Sequence, residues 1–196
     1  MTKIIGITGG VGAGKSKVLQ YIEDNYNCRV ILADKVANDI KLKGGPCYEP
    51  LLEILGRDVL DENGEIDKGK MASKIFFDEK MLKNVNEVLH PATNNYIIEV
   101  VNHERSSGVL DFLFIEAALL IECGYDKIVD ELWYIYADRE TRRQRLKATR
   151  GYTDSKIDSI FDKQLSEDEF RSHCKVVIDN SGKLEDTYKQ VDNAMK

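Results

Sequence analysis

Apolar positions along this chain follow two rhythms. Five short runs are apolar almost without a break: "IIGIT" at 4–8, "RVILA" at 29–33, "LDFLFIE" at 110–116, "ELWYIYA" at 131–137 and "KVVID" at 175–179. Runs of this length, rich in branched and aromatic residues, read as strands buried on both faces. Elsewhere the apolar residues recur at intervals of three and four. Val18, Leu19, Ile22 and Tyr26 keep that spacing, which predicts a helix over about 15–25. A last helix is expected from Leu184 onward. Strands alternating with helices make a parallel sheet covered on both faces, so the expected fold class is α/β.

Between about residues 56 and 107 the alternation stops. "GRDVLDENGEID" is turn-rich, and "KMASKIFFDEKMLKNVNEVL" reads as helix. "HPATNNYIIEVVNHE" follows, with Pro91 suited to the first turn of another helix. This segment is expected to be a helical insert beside a core of about 1–55 and 108–196. A second helical hairpin is expected at about 139–170, with "SEDE" at 166–169 as a capping box. No internal repeat is visible, and 196 residues suffice for one domain with a sizeable core.

Composition narrows the class without naming it. The chain is 42% hydrophobic and 32% charged, ordinary for a globular protein, and its apolar runs are too short to span a bilayer. After Lys3 a short apolar stretch runs straight into glycines, unlike a signal peptide, so a cytoplasmic protein is expected. Four scattered cysteines (Cys28, Cys47, Cys123, Cys174) form no CxxC pair and are read as free thiols. The net charge of −6 argues against a general nucleic-acid binder. Against that balance, "RETRRQRLKATR" holds Arg139, Arg142, Arg143, Arg145, Lys147 and Arg150 against one acid, Glu140. The island suits local handling of an anion, although a charge run is often only a solvated helix face.

The candidate chemistry begins where the first strand ends. Gly9-Gly10-Val11-Gly12-Ala13-Gly14-Lys15-Ser16 fits GxxxxGK[ST] in full, between an expected strand and an expected helix. Glycines let successive backbone N–H groups point into one concavity, and the following helix directs its positive end at the same point. Lys15 supplies a charge for the β- and γ-phosphates, and the Ser16 hydroxyl can ligate Mg²⁺. The motif therefore implies a bound nucleoside triphosphate.

Three kinds of protein carry such a loop. A signalling GTPase needs a base-reading NKxD, absent here. A motor or transporter ATPase is normally larger, with partner-coupling elements. A small-molecule kinase needs an acceptor site near the second strand, an acid for Mg²⁺ on a neighbouring strand, and an arginine-bearing lid. Asp34 follows "RVILA", at the carboxyl end where ligands of open α/β sheets bind, and could take a proton from an attacking hydroxyl. Its simpler role is a helix N-cap. Glu116 ends "LDFLFIE" and is a candidate for Mg²⁺, against a plain solvated acid; Glu122 follows about one helical turn later. The 139–150 arginines suit equatorial phosphoryl oxygens.

Taken together, these segments resemble the dephospho-coenzyme A kinase family almost end to end. Thr8 to Ser16 matches its TGGxGxGKS, and "ADKVANDI" its second-strand aspartate with a short helix. "ILGRDVLDENGEIDKGKMASKIFFDE", "VLHP" at 88–91, "ALLIE" at 118–122 and "VVIDNSG" at 176–182 follow in the family's order. The resemblance implies a nucleoside-monophosphate-kinase-like sheet with a helical acceptor insert and a helical lid. It implies transfer of the γ-phosphoryl group of ATP, with Mg²⁺, to the 3′-hydroxyl of dephospho-CoA, giving CoA and ADP. It makes Asp34 the base, aided by Lys15 and Arg145. Gly9, Gly10, Gly12, Ala13, Gly14, Lys15, Ser16 and Lys17 would line the ATP phosphates. Arg145 and Arg150 match lid arginines, and Asn180 lies where the family approaches adenine. His90 and Glu122 would meet the acceptor, with a helix-start or packing role for His90 as the plainer reading. Ser16 and Glu116 remain the metal candidates. Dephospho-CoA and ATP are the expected partners, with no nucleic acid or membrane, in a monomer or weak homo-oligomer.

The chain departs from the family at named positions. Leu32-Ala33-Asp34 stands for DAD, Ala118 for the proline of PLLFE, and Asp67-Lys68 for DR. Arg142 replaces a lid glutamine, and Lys17 the threonine after GKS. Two alternatives stay open: another P-loop kinase for a small molecule or nucleotide, and a nucleotide-binding regulatory protein. A phosphate-acceptor kinase should place arginines in the insert, and none lies between Arg57 and Arg105.

Overall fold

Residues 4–8 do form the central strand of a sheet. In the computed structural model, which describes residues 1–117, 120–121 and 124–196, β1 (Lys3–Thr8) lies between β3 (Phe112–Glu116) and β4 (Glu131–Tyr136). β2 (Cys28–Leu32) and β5 (Val176–Asp179) are the edges, in the order β2-β3-β1-β4-β5. β1 pairs parallel to β3 and β4, and β4 pairs parallel to β5. Ile4, Ile5 and Ile7 are wholly buried, as a central strand covered on both faces requires. At the edge, β2 buries only Ile31. On one face α1 (Lys15–Asn25) and α9 (Leu184–Ala194) pack Val18, Leu19, Ile22 and Val191 against Ile5, Ile7, Phe114, Trp133 and Ile178.

The chain divides into two compact units, 1–30 with 103–196, and 31–102. The helical unit therefore takes in the turn after β2, well before the expected insert boundary near 56. It contains α2 (Ala33–Asp39), α3 (Tyr48–Leu55), α4 (Lys68–Phe76) and most of α5 (Glu79–Ser107). Ala33, Val36 and Ile40 bury one side of α2, while Leu51, Leu55, Val59, Met71, Val85 and Ile97 supply apolar filling.

Two helix expectations need correction here. "KMASKIFFDEKMLKNVNEVL" is not one helix, because the Asp78 carboxylate accepts the Met81 N–H at 2.9 Å and starts a new one. That is an N-cap, which a sequence reading of one continuous helix passes over. The second correction concerns Pro91. It opens no helix; α5 runs through it for 29 residues, so "VLHP" lies mid-helix. Proline there forfeits one backbone bond and crowds a carbonyl, about 3 kcal/mol in an isolated helix. Buried Val85, Ile97 and Val101 offset that cost on either side.

The expected hairpin at 139–170 is three short helices, α6 (Arg139–Arg150), α7 (Asp154–Phe161) and α8 (Glu167–His173). Each start is capped. Asp138 accepts from the Thr141 N–H, Thr153 from Lys156, and Ser166 with Glu169 closes the expected capping box. Leu146, Ile157 and Phe161 bury one another, with Val11 packed against them.

Among the described residues no helix is long and apolar enough to cross a membrane. Cys28, Cys47 and Cys174 are free thiols; burial pushes Cys28 up to about 11 and Cys174 to about 12, which leaves them unreactive. Cys123 lies outside the described residues.

One buried carboxylate yields a stability prediction. Glu131 opens β4 and is bonded by Lys3 at 2.9 Å, Lys175 at 3.1 Å and the Trp133 indole N–H at 2.8 Å. Burial pushes its pKa up, but these three partners outweigh that and hold it below the ordinary value of 4.5. A depressed folded pKa contributes stability that is present above the unfolded value and lost as pH falls through the folded one. Glu131→Gln is expected to lower stability by about 1–2 kcal/mol at pH 7, since Lys175 is largely and Lys3 partly solvated. Urea midpoints should show the gap between variant and parent closing below about pH 4. A gap of constant size would assign the loss to packing rather than charge.

Candidate active site

The loop after β1 is shaped by its glycines. Gly14 ends it in a left-handed conformation, φ 90°, immediately before α1, and a side chain there would meet the Asn180 amide. Gly10 lies under the Arg142 guanidinium, so a Cβ at that position would collide with it. The positive φ calls for glycine at Gly14, while at Gly10 any side chain would have to displace the Arg142 guanidinium. The Ala13 N–H donates to the Gly10 carbonyl at 3.1 Å and the Lys17 N–H to Gly14 at 3.0 Å.

Lys15 reaches back over the loop. Its Nζ donates to the Gly9 carbonyl at 2.7 Å and lies 3.5 Å from Glu116 Oε1. The sheet register explains that pairing, since Ile7 of β1 lies beside Glu116 of β3, one residue before the chain turns into the loop. Ser16 and Lys17 are exposed at the start of α1. Ser16 and Glu116 are hard oxygen donors beside the phosphate loop. That set fits a Mg²⁺ ion, which keeps most of its waters and takes one or two protein oxygens plus phosphate.

Arg145 and Asn180 brace the loop from outside. The Arg145 guanidinium donates to the Asn180 carbonyl at 2.8 Å and to Ala13 at 3.3 Å. Asn180 is 1% exposed. Its amide donates to the Ala13 carbonyl at 2.7 Å, and its Oδ1 accepts from Thr187 at 3.1 Å. The Asn180 side chain is thus committed to the loop. Arg150, by contrast, is exposed and lies over the Tyr152 ring, 5.9 Å from its centroid.

Two loop contacts lay beyond sequence reasoning. Arg142 donates from Nε to the Val11 carbonyl at 2.9 Å, and its Nη2 donates to the Gln164 side-chain oxygen. Gln164 also accepts from the Val11 N–H at 3.4 Å. The guanidinium lies 4.3 Å from the Phe161 ring centroid, a cation–π contact. Burial lowers its pKa from the usual guanidinium value, yet arginine remains a cation. With Tyr134, Tyr136 and Phe161 it lines a cavity of about 470 Å³. Arg142 therefore puts a fixed positive charge at the tip of the loop.

In the helical unit, Asp34 is exposed in the first turn of α2, its backbone carbonyl accepting from Asn38 at 2.8 Å. His90 is exposed on α5, where with Leu82, Lys83, Asn86 and Glu87 it lines a groove of about 540 Å³. Glu122 lies outside the described residues, as does Ala118.

Comparison with known proteins supplies what geometry alone lacks. The sequence model of the dephospho-CoA kinase family matches residues 3–186. A protein of Aquifex aeolicus named dephospho-CoA kinase is 37% identical over 96% of this chain and 94% of its own. One of the same name from Carboxydothermus hydrogenoformans is 32% identical over 96% and 90%. Among solved structures, TT1252 from Thermus thermophilus superposes with a TM-score of 0.78 at 26% identity, covering 99% of this chain and 96% of that one.

Proposed function

The chain belongs to the dephospho-CoA kinase family, and from that premise we propose how its residues move the γ-phosphoryl group of ATP onto the 3′-hydroxyl of dephospho-CoA. The family match over nearly the whole chain carries the reading. The backbone N–H groups from Gly9 to Lys17 hold the ATP phosphates, with Lys15 against the β- and γ-oxygens. Mg²⁺, held by Ser16 and Glu116, would neutralise charge on the phosphate oxygens when bound. The Asp34 carboxylate takes the proton of the 3′-hydroxyl; the hydroxyl oxygen forms a bond to the γ-phosphorus as the bond to the β,γ-bridging oxygen breaks, and ADP leaves. Arg145 stabilises the transferring group, while Arg150 and the rest of α6 to α8 close as a lid that excludes water. Asn180 sits where adenine is approached, acting through its hold on Ala13. His90 and Glu122 complete the acceptor side. The same proposal has the enzyme cytoplasmic and monomeric or weakly self-associating.

Incubation with ATP, Mg²⁺ and dephospho-CoA is expected to yield CoA, phosphorylated at the 3′-position, and ADP in equal amounts. ADP release that does not depend on the acceptor would overturn this reading in favour of a nucleotide-binding regulator.

Arg145 offers a sharper test of the division of labour. Arg145→Ala is expected to lower kcat about 10²-fold while changing ATP affinity only a few-fold, because its help is needed mainly as charge spreads in the transition state. Arg145→Lys should recover part of the rate, since lysine restores charge but not the fork that binds Asn180 and Ala13. An unchanged kcat in the alanine variant would remove Arg145 from that role.

A further inference from the structure

The helical unit contains a small, partly open cavity of about 190 Å³, lined by Asn38, Asp39, Lys41, Glu65, Lys68 and Met71 among others. That volume is several times the ~30 Å³ share of one water, enough for a phosphate group. Two lysines line it, Lys41 half-buried and Lys68 exposed, near enough for the charge of one to act on the other. Among the described residues, neither Lys41 nor Lys68 has a carboxylate or hydrogen-bond partner. The carboxylates nearby are engaged elsewhere, Asp39 with Lys35 at 3.2 Å and Glu65 with the Lys43 N–H at 2.9 Å. Lys41 is half-buried, and burial together with the charge of Lys68 pulls its pKa below the ordinary lysine value. Lys68 opens α4 directly after its N-cap, Asp67, whose carboxylate is taken by the Lys70 N–H. Lys41 and Lys68 thus sit close enough to repel each other, beside acids whose own bonds are made elsewhere, a place where two cations can take up an anion.

The position of this cavity says which anion. Asp34, Asn38 and Lys41 follow one another at helical spacing along α2 and its C-terminal turn, and Asn38 both bonds the Asp34 carbonyl and lines the cavity. From Asp34 to Lys41 is about 10 Å along the helix axis. In dephospho-CoA the 3′-hydroxyl and the 5′-diphosphate are joined through C3′, C4′ and C5′. The diphosphate is also the only charged group of that molecule. A ribose whose 3′-hydroxyl meets Asp34 can therefore send its diphosphate one to two helical turns along α2.

Resting on the kinase reading above, we propose that Lys41 and Lys68 form the subsite for the diphosphate of the acceptor, fixing the ribose so that its 3′-hydroxyl faces Asp34. The test is a Lys41→Gln/Lys68→Gln variant assayed against both substrates. The KM for dephospho-CoA is expected to rise at least tenfold, with kcat and the KM for ATP within twofold of the parent. Lys41→Arg/Lys68→Arg should stay near the parent. Unchanged ATP kinetics in the glutamine variant certify its fold. An unchanged KM for dephospho-CoA overturns the subsite, as does a change that falls on ATP instead. If the parent protein fails to turn over dephospho-CoA, the kinase reading has failed separately. Inorganic pyrophosphate titrated calorimetrically into Lys15→Ala, with and without the two glutamines, then decides the anion site. Binding lost with the glutamines supports it, and equal binding overturns it.

Discussion

Asp34→Asn is expected to abolish turnover, with kcat falling at least 10²–10³-fold, while ATP binds as it does to the parent. The size follows from the job. A general base contributes about 10²–10⁴-fold, and an amide keeps the shape of the carboxylate without accepting a proton at neutral pH. The selectivity follows from the surroundings. Asp34 belongs to the helical unit and makes no ion pair among the described residues, so its loss frees no charge and leaves no partner stranded. Ala33, Val36 and Ile40 anchor α2 from the other side, so the substitution should cost little stability. Calorimetry should return an ATP affinity within twofold of the parent, and thermal melting a nearly unchanged midpoint. Near-normal kcat would show that the hydroxyl is activated without Asp34. A parallel loss of ATP binding would show instead that the carboxylate belongs to the nucleotide site.

Much of this site was legible because its demands are local. The phosphate loop must have glycine where φ is positive or another group lies close, a cation after it, and a hydroxyl opening the helix; each demand is met within eight consecutive residues. The strands were legible for a similar reason, since a strand buried on both faces leaves an unbroken apolar run. What braces the loop was not legible. Arg142 meets Val11 across 131 positions, Gln164 meets it across 153, and Asn180 meets Ala13 across 167. Nothing in one segment announces such partners, because they are chosen by the packing of α6 and the turns after α7 and β5 onto β1. Pro91 misled for a related reason. Its local preference is for a helix start, and tertiary burial of α5 on both sides of it overrode that preference. Lys68 stands out in the chain only as a departure from a family DR pair and Lys41 carries no motif; the cavity that joins them exists only in the fold.

Lys15 should be the second residue whose loss stops the reaction, and for a reason that its ligand-free contacts expose. Its Nζ is 2.7 Å from the Gly9 carbonyl and 3.5 Å from Glu116, so the ammonium already lies over the loop, balanced between a carbonyl and a carboxylate. When β- and γ-phosphates enter, the same group can turn to them with little reorganisation, which is what makes electrostatic help effective in a transition state. Lys15→Ala removes that charge and also strips Glu116 of its counter-charge beside an incoming polyanion. Transfer should therefore slow about 10²–10³-fold, the loss of about 2.7–4 kcal/mol that follows removal of one preorganised stabilising group. ATP binding should weaken as well, though by less, because the backbone N–H groups remain. The added repulsion from Glu116 has its own signature. Glu116→Gln placed on top of Lys15→Ala should restore part of the ATP affinity while leaving the transfer rate low. Single-turnover rates at saturating ATP, set beside equilibrium affinities for the parent and the two variants, separate the two effects. A Lys15→Ala enzyme that transfers within a few-fold of the parent would mean that the backbone of the loop, rather than its lysine, carries the catalysis.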